Sequence, residues 1–382
     1  MAGGLMQLVA YGAQDIYLTG NPQITFFKVV YRRHTNFSLE SVKQTFHGQA
    51  NPGVTPGPRG TCVVNRSGDL IHKIYVNSSS AGITNGNALV DEVELQIGGT
   101  TVDRHYREWN EIWTELSTPE SKAIPYRAMT GTLGTSGANA TGVNLVQVPL
   151  NFWFNRNPGL ALPLIALQYH EVKFNFQFAA ATALSKTTAE PPTVNSIKMY
   201  VDYIYLDTEE RRRFAQQSHE YLIDQVQYTG AVAKSGAATT TQSLRLDFNH
   251  PCKELVWVCR VSNSHQTAFA EQSDSAKPGS ALLQLNGHDR FAKRPMNYFT
   301  RMQTMQHHTN VPAGDRIACY SFGLRPEDHQ PSGTCNFSRI DNATLQLKDD
   351  VNAAANHEYQ VYATNYNVLR IMSGMGGLAY SN

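Results

Sequence analysis

Val93-Glu94-Leu95-Gln96-Ile97-Gly98-Gly99 is an alternating strand that runs into a two-residue turn, and the chain repeats it as Ala281-Leu282-Leu283-Gln284-Leu285-Asn286-Gly287. Gly-Gly and Asn-Gly both suit a type I′ hairpin turn, in which both central residues need a positive φ angle. The two stretches are separated by almost half of the 382-residue chain. A sequence that repeats its organisation at half its length predicts two copies of one fold.

Further landmarks recur in the same order along the two halves. Each half has an apolar run before this hairpin, an aromatic stretch after it, and a proline-marked entry into a late strand. The matched pairs are residues 70–76 with 255–261, 106–113 with 291–299, and Leu162-Pro163 before 172–176 with Gln330-Pro331 before 344–347. One match arises easily by chance, but four in register order predict an internal duplication.

The composition is that of a folded protein with large uncharged surfaces, because 41% of the residues are hydrophobic and 16% are charged. The length suits two domains better than a single core. Gly, Ser, Thr, Asn and Pro crowd the gaps between apolar runs, which favours many short strands over helices. The formal net charge of +1 offers no cationic field for nucleic acid. We therefore expect no direct contact with nucleic acid.

Strand patterns dominate both halves. Apolar and polar residues alternate over 92–97, which predicts a strand with one buried and one solvated face in an antiparallel sheet. Residues 24–33 and 197–206 also have strand composition. Loops rich in Gly, Ser, Thr, Asn and Pro separate the strands at 48–60, 78–87, 133–143, 183–195, 230–242 and 262–280. Short strands in two repeated blocks predict an all-β chain of two tandem sandwiches, with eight-stranded antiparallel jelly rolls as the leading candidate.

One short helix is predicted between the two blocks. Asp207 precedes it as the N-cap, Glu210 completes a capping box, and three arginines beginning at Arg211 follow toward its C-terminal side. We expect this helix to join the two jelly rolls, with the arginines on a solvated face or in ion pairs between domains. The glycine-broken stretch 1–23 predicts an arm that becomes ordered against a partner.

The cysteines of the chain form no C-x-x-C pair, and there are five of them: Cys62, Cys252, Cys259, Cys319 and Cys335. An odd number without such a pair favours free thiols in a reducing compartment over a secreted disulfide framework. The first basic residue is Lys28, so we expect no charged start of a signal peptide.

No motif in the chain predicts an active site. His170-Glu171 has no second histidine at the spacing of a zinc protease, and His307-His308 would point to opposite faces of a strand. The run 374–377 resembles a phosphate loop only superficially, because no helix follows to aim its amides at an anion. The sequence therefore predicts no catalytic residue, no cofactor-binding residue, no cofactor and no metal ligand.

Five stretches spread over the chain carry a family resemblance. They are residues 3–15 continuing through Gly20-Asn21-Pro22-Gln23-Ile24-Thr25-Phe26-Phe27-Lys28, residues 158–172, residues 203–223 around Leu206-Asp207-Thr208-Glu209-Glu210-Arg211, residues 330–341, and residues 365–372. These stretches resemble the major capsid proteins of the nucleocytoplasmic large DNA viruses, in particular those of algal and amoebal giant viruses. The resemblance covers essentially the whole chain.

This resemblance implies a double jelly roll that forms a homotrimer, a capsomer of pseudo-hexagonal outline that tiles the icosahedral shell of the virion. It also implies a structural protein and no enzyme. The expected domains are an arm at 1–23, a first jelly roll at 24–206, a helical linker at 207–222 and a second jelly roll at 223–382. The expected partners are other copies of the chain, in the trimer and in neighbouring capsomers, and minor capsid proteins beneath the shell. The arm is also a candidate for contact with an inner membrane, and assembly is expected in the host cytoplasm.

Three alternatives stay open on the sequence alone. A minor capsid protein of the same fold would differ in its copy number in purified particles. A soluble jelly-roll glycan-binding protein would favour exposed aromatic residues in its loops, and the predicted loops hold one, Phe269. An enzyme of the cupin type would need a clustered His/Glu metal set, which the sequence does not offer.

Overall fold

A computed structural model gives the fold of the chain. It describes residues 3–48, 57–81, 86–131, 143–180, 184, 193–233, 241–261, 269–270, 279–312, 314–348 and 357–381. Much of the six predicted loops lies outside the described residues. The chain divides into two compact units, Met1–Asn36 and Phe37–Asn382, and both jelly rolls lie in the second unit.

The first unit contains helices α1 (Gly3–Val9) and α2 (Asp15–Thr19), and none of its described residues is buried. Residues 24–33 form no strand, so the strand predicted there is wrong. The physical reason is that a strand needs a neighbour to take its backbone hydrogen bonds. This segment has the composition of a strand, but it pairs with no other strand among the described residues of its unit.

The first jelly roll consists of β1 to β10 and three helices. The elements are β1 (Phe37–Gln44), β2 (His47–Gly48), β3 (Arg59–Val63), β4 (Leu70–Ala81), β5 (Val90–Ile97), β6 (Thr100–Tyr106), α3 (Arg107–Ser117), α4 (Glu120–Met129), β7 (Val143–Pro149), α5 (Trp153–Arg156), β8 (Leu162–Pro163), β9 (Val172–Phe178) and β10 (Thr193–Leu206). One sheet has the order β1-β10-β4-β7, and the other has the order β2-β3-β9-β5-β6.

The second jelly roll follows after helix α6 (Thr208–Gln216). Its elements are β11 (His219–Ala233), β12 (Thr241–Arg245), β13 (Pro251–Val261), β14 (Phe269–Ala270), β15 (Ser280–Leu285), β16 (His288–Asp289), β17 (Arg294–Pro295), a π-helical turn (Tyr298–Met302), α7 (Gln303–His307), β18 (Ile317–Ser321), β19 (Cys335–Asn336), β20 (Ala343–Lys348), β21 (His357–Met372) and β22 (Met375–Leu378). One sheet joins β11-β21-β13 with β18 on the far side of β13, and the other has the order β12-β20-β15-β16.

The two copies share one topology. When the eight principal described strands of each copy are numbered along the chain, one sheet of each reads 1-8-3-6 and the other reads 2-7-4-5. All of these pairings are antiparallel. Two antiparallel sheets with this crossing order form a jelly roll. The predicted fold class is confirmed.

The matched sequence landmarks occupy equivalent places in the two copies. Residues 70–76 and 255–261 lie in β4 and β13, each the third principal strand of its copy. The short strands β8 and β19 pair with the starts of these two strands. The proline-marked match is less exact, since Gln330-Pro331 precedes β19 whereas Leu162-Pro163 forms β8 itself.

Both hairpin turns have the predicted geometry. Gly98 and Gly99 have φ angles of 59° and 84°, and Asn286 and Gly287 have φ angles of 51° and 80°. Each turn closes an antiparallel pair, β5 with β6 and β15 with β16. Positive φ at both central positions identifies the type I′ family. The type I′ prediction is therefore confirmed at both sites.

Each jelly roll encloses its own apolar core between its two sheets. Strands such as β9 show the strict alternation that puts every second side chain inside. The first core includes Phe174, Phe176 and Phe178, and the second includes Trp257 and Phe299. The first core also includes Ile223, Leu369 and Ile371 of β11 and β21, so the second jelly roll packs onto it.

Helix α6 lies where the sequence predicts it, with Asp207 in the N-cap position at φ −66° and ψ 155°. The Asp207 carboxylate makes no capping hydrogen bond, so the predicted capping box is wrong. Arg211 instead lies with Nε 3.1 Å from Asp69 Oδ1 of the first jelly roll. Asp69 also accepts a hydrogen bond of 2.9 Å from the backbone N–H of Leu206, just before the helix. The start of the helix is thus fixed from outside the helix.

Helices α3 and α4 were not predicted. They occupy the connection between the fifth and sixth principal strands of the first jelly roll. In the second jelly roll the same connection holds the π-helical turn and α7. Within the described part of the chain, no helix combines the length and apolar character needed to span a membrane.

Candidate assembly interface

The histidine pairs noted in the sequence make structural contacts. His170 Nδ1 lies 2.9 Å from the carbonyl oxygen and 3.1 Å from the nitrogen of Gly376, and thus links the first jelly roll to the β21–β22 hairpin of the second. His307 ends helix α7 and His308 follows it as the C-cap, so the two residues do not lie on a strand. His307 Nδ1 lies 3.0 Å from the carbonyl oxygen of Leu324. Among the described residues, no cluster of three His, Cys, Asp or Glu side chains is suited to a metal ion.

The glycine run 374–377 belongs to a third hairpin. Ser373 and Gly374 form the turn between β21 and β22, with φ angles of 52° and 80°. The residues after the turn form a strand, which cannot aim a row of amides at an anion as a helix does. The run therefore has a structural role in the second jelly roll.

Helix α3 joins the two jelly rolls through one apolar face. Trp109, Ile112, Trp113 and Leu116 have the spacing i, i+3, i+4, i+7, which puts them on one side of a helix. All four are buried. They form a cluster with residues of β11, β13, β14, β18 and β21: Val226, Val256, Val258, Phe269, Ile317, Cys319 and Tyr362.

This cluster lies on the outer face of the second jelly roll. Along β13, Leu255, Trp257 and Cys259 point into the core, and the intervening Val256 and Val258 point away from it. The helix of the first copy therefore covers the outside of the β11-β21-β13-β18 sheet of the second copy. The contact is head-to-tail, because it joins different surfaces of two similar domains.

The end of α3 is also held by the second jelly roll. The backbone N–H of Asn310 donates a hydrogen bond of 2.9 Å to the carbonyl oxygen of Leu116. The side-chain amide of Asn310 donates one of 2.9 Å to the carbonyl oxygen of Glu115. The last carbonyl groups of a helix have no hydrogen-bond donor within the helix, so Asn310 supplies the missing donors.

Buried charges cross the same interface. Glu108 of α3 accepts hydrogen bonds from Arg260 of β13 and from Arg107, whose Nη2 lies 3.0 Å from Glu108 Oε1. Burial opposes the charge on Arg107, but Glu108 and Asp91 outweigh it and raise the pKa of Arg107. The two guanidinium groups compensate the charge of the buried carboxylate. Removal of the carboxylate would leave buried positive charge without a partner, which costs desolvation free energy.

A second charged group joins α5 to the second jelly roll. Asp224 of β11 lies 3.0 Å from Lys253 Nζ and 3.7 Å from Arg156 Nη1. The guanidinium of Arg156 also stacks 3.6 Å above the Trp113 ring. Burial lowers the pKa of Arg156, and Asp224 opposes that effect. These contacts fix the first copy on the second by both charge and ring stacking.

His308 lies between two carboxylates beneath this interface. Its Nε2 is 3.0 Å from Glu254 Oε2, and its Nδ1 is 2.9 Å from Glu327 Oε1. Burial alone would lower the pKa of His308, but Glu254, Cys319 and Glu327 outweigh it and raise the pKa to about 12. Burial would likewise raise the pKa of Glu254, but His308 and Lys253 lower it. The group is a buried ion pair that anchors the end of α7 to β13.

The surfaces that correspond to the two sides of the α3 contact are at least partly exposed in the described part of the chain. The π-helical turn and α7, residues 298–307 and here called the second contact helix, occupy the place that α3 has in the first copy. Its Met302 is 49% exposed and its Met305 is 74% exposed. The outer face of the β1-β10-β4-β7 sheet carries Tyr75 and Tyr200, stacked with ring centroids 5.6 Å apart and both partly exposed. Further along the same sheet, on β7 and opposite Ser79, Leu145 is 61% exposed.

The first compact unit is the other large apolar surface. Its large hydrophobic side chains are exposed throughout, and Phe27 reaches 98%. They are Leu5, Met6, Leu8, Val9, Tyr11, Ile16, Tyr17, Leu18, Ile24, Phe26, Phe27, Val29, Val30 and Tyr31. Contiguous exposed apolar surface of this kind is typical of segments that bind a partner.

The sequence contains one local signal for this interface. The apolar residues of the aromatic stretch 106–113 continue to Leu116 at helical spacing, which predicts a helix with one apolar face. The buried charged partners had no such signal. Glu108 and Arg260, or Arg156 and Asp224, are too far apart in sequence for any local pattern to pair them.

Comparisons with known proteins agree with this architecture. Residues 25–207 match the family model described as major capsid protein N-terminus, and residues 210–377 match the model described as large eukaryotic DNA virus major capsid protein. The chain is 50% identical to the major capsid protein of Pyramimonas orientalis virus and 44% identical to that of Paramecium bursaria Chlorella virus 1, with 100% of both chains covered in each case. A quasi-atomic model of the PBCV-1 virus capsid is 38% identical with a TM-score of 0.78, and the match covers 94% of this chain and 100% of that chain.

Fold, interface and relatives together define a double jelly-roll capsid protein. The chain belongs to the family of large eukaryotic DNA virus major capsid proteins. It is a structural protein of the virion capsid.

Proposed function

We propose that the chain is the principal building block of an icosahedral shell and forms homotrimers of pseudo-hexagonal outline. Three chains bring together six similar jelly rolls, and six similar units around one axis meet six neighbours almost equivalently. The observation that carries the proposal is the head-to-tail contact of α3 with the second jelly roll. Head-to-tail contacts form closed rings when the rotation between units closes.

The surfaces needed to continue the ring are the partly exposed ones. The second contact helix presents Met302 and Met305 where α3 presents its apolar face. The outer face of the first jelly roll presents Tyr75, Tyr200 and Leu145 where the second jelly roll receives α3. The second contact helix of one chain would therefore pack on the first jelly roll of the next. Three such contacts between chains and three within chains would close the ring.

Size-exclusion chromatography with light scattering tests the trimer. The wild-type protein is expected at three times the chain mass, and Met305→Glu and Leu145→Glu should each shift it toward monomer, because a charge at a buried contact costs its desolvation. Met305→Leu and Leu145→Met keep the surface apolar and are the matched controls. A monomeric wild-type protein at all concentrations would contradict the proposed function. Trimers that persist in both glutamate variants would contradict the proposed contact surfaces.

We also propose that the protein catalyses no reaction and binds no cofactor. The support is its membership of a structural family and the compensated, buried state of its histidine and carboxylate groups. Metal analysis of the purified protein is the check. Stoichiometric iron, manganese or zinc would contradict the proposal and would support the alternative of a cupin-type enzyme.

The arm is proposed to face inward, toward minor capsid proteins beneath the shell or an inner membrane. Its exposed apolar residues support this assignment, because they need a partner to leave water. The division of the chain into arm 1–23, first jelly roll 24–206, helical linker 207–222 and second jelly roll 223–382 stays a proposal, although residues 24–36 lie in the first compact unit and β11 begins at His219. Limited proteolysis of assembled particles tests the orientation, since ready cleavage within residues 1–20 from outside would contradict an inward arm.

We propose that the shell assembles in the host cytoplasm. We also propose that this protein makes no direct contact with nucleic acid, and the net charge of +1 supports this second proposal. The alternative of a minor capsid protein is separated by copy number in purified particles. The alternative of a soluble glycan-binding protein loses its one loop aromatic, because Phe269 is buried against α3.

A further inference from the structure

Two of the five cysteines face each other across adjacent strands. Cys252 is the second residue of β13 and Cys335 begins β19, and the two are direct register partners in an antiparallel pair. The remaining cysteines are opposite other residue types: Cys62 is opposite Phe174, Cys259 is opposite Ala270 and Tyr359, and Cys319 is opposite Val256.

The register places the pair within reach of a covalent bond. Directly opposite residues of antiparallel strands have Cα atoms roughly 4.5–5.5 Å apart. Disulfides span Cα separations of roughly 4.4–6.8 Å. Opposite residues of such a pair also direct their Cβ atoms to the same face of the sheet. A bridge between Cys252 and Cys335 therefore fits the backbone as it stands.

The two thiols differ in access. Cys252 is fully buried, with Sγ 3.6 Å and 3.7 Å from the carbonyl oxygens of Asn249 and His250. Cys335 is partly exposed. Burial and the neighbouring Cys335 raise the pKa of Cys252, and burial raises the pKa of Cys335 against the effect of Arg290. Both groups are therefore thiols at neutral pH, and a reagent from solution reaches Cys335 first.

We propose that Cys252 and Cys335 are a redox modification site that closes to a disulfide by exchange with a small-molecule disulfide. Cys335 loses its proton and attacks one sulfur of the reagent, which releases one small thiol and leaves a mixed disulfide on Cys335. Cys252 then loses its proton and attacks the Cys335 sulfur, which releases the second small thiol. Two protein thiols are oxidised, one small disulfide is reduced to two thiols, and the two protons end on these thiols.

The bridge would strengthen the part of the chain that the proposed trimer uses. It would tie the short strand β19 to the centre of the second jelly roll and enclose segment 252–335, which contains the second contact helix. Its timing rests on the proposed function. Thiols stay reduced in a cytoplasm buffered by glutathione and oxidise once the virion is released.

The test uses the full-length purified protein with glutathione disulfide as the probe. After oxidation and alkylation of the remaining thiols, mass spectrometry without reductant should find the peptide with Cys252 joined to the peptide with Cys335. The thermal midpoint of the wild-type protein should rise by several degrees on oxidation and fall back with dithiothreitol. Cys335→Ser should show no rise, whereas Cys62→Ser should show the wild-type rise. Each comparison is made within one variant, so a change in basal stability does not affect it.

Two results would overturn the inference: glutathione retained on Cys335 as the end product, or no joined peptide under conditions that alkylation shows to reach Cys335. Chromatography of the same samples separates this inference from the proposed function. A trimer without the bridge removes only the redox site, and a bridged monomer removes only the trimer.

Discussion

The two type I′ turns give a prediction whose size follows from the backbone alone. A Cβ atom added at Gly99 or at Gly287 meets no atom within 4 Å, so the Cβ of a valine at either position causes no clash. The cost is the left-handed backbone, since φ is 84° at Gly99 and 80° at Gly287. A residue with a Cβ atom in this region costs about 1–2 kcal/mol, and a β-branched one is at the upper end.

Urea unfolding and thermal unfolding of Gly99→Val, Gly287→Val and the double variant measure this cost. Each single variant should lose about 1–2 kcal/mol, which is about 2–8 °C in midpoint for a cooperative unit of 150–250 residues. The losses should add in the double variant, because the sites lie in different jelly rolls.

Gly377→Val is the matched control. A Cβ at Gly377 also meets nothing within 4 Å, but its φ lies outside the left-handed region, so its stability should change by no more than about 0.5 kcal/mol. Unchanged stability in both turn variants would refute the type I′ assignment. An equal loss in Gly377→Val would show that valine is harmful for a reason unrelated to φ.

Three further predictions concern the interface. Trp109→Ala removes a fully buried indole from the contact between the jelly rolls and should cost about 3–5 kcal/mol in urea unfolding; a loss below about 1 kcal/mol would contradict the packing role of α3. Asn310→Ala removes the side-chain amide that donates to the carbonyl oxygen of Glu115, while the backbone donor to Leu116 stays, and should cost about 1–3 kcal/mol, measured the same way, with Gln306→Ala on the exposed face of α7 as the control. His308 has a folded pKa of about 12 against an ordinary value of 6.5, so its contribution to stability is complete below about pH 6.5 and is lost as the pH rises toward 12. The difference in unfolding free energy between wild type and His308→Gln should therefore shrink between pH 7 and pH 11, and a constant difference would refute a charged His308.

Much of the fold was predictable because it rests on local chemistry. The hairpins need only a period-two pattern and a turn pair that accepts positive φ, and both are readable in 93–99 and 281–287. The helix start at Asp207 was equally local. Its capping box is absent, and the start of the helix is held by the Asp69 carboxylate, 138 positions before Asp207 in the chain, which binds Arg211 and the backbone N–H of Leu206. Such a partner from a distant part of the chain cannot be predicted from a local pattern.

The candidate interface was less predictable because its partners are distant in sequence. The spacing of Trp109 and Leu116 predicts an apolar helix face, but it does not predict which surface that face packs against. The role of Arg156 depends on Asp224 in the other jelly roll and on Trp113 in another helix, and neither contact can be predicted from the sequence around Arg156. The strand predicted at 24–33 failed for the converse reason, since its composition was suitable but no neighbour within its unit supplies the hydrogen bonds.

The intrachain position of the α3 contact has a consequence for the timing of assembly. When two domains are linked in one chain, the effective concentration of one domain around the other is in about the millimolar range and does not depend on the number of chains in the cell. In the proposed trimer, half of the contacts around the ring then form as each chain folds. Only the other half depend on how many chains have been made, so shell growth can be held back until supply is high without delaying the folding of a single subunit.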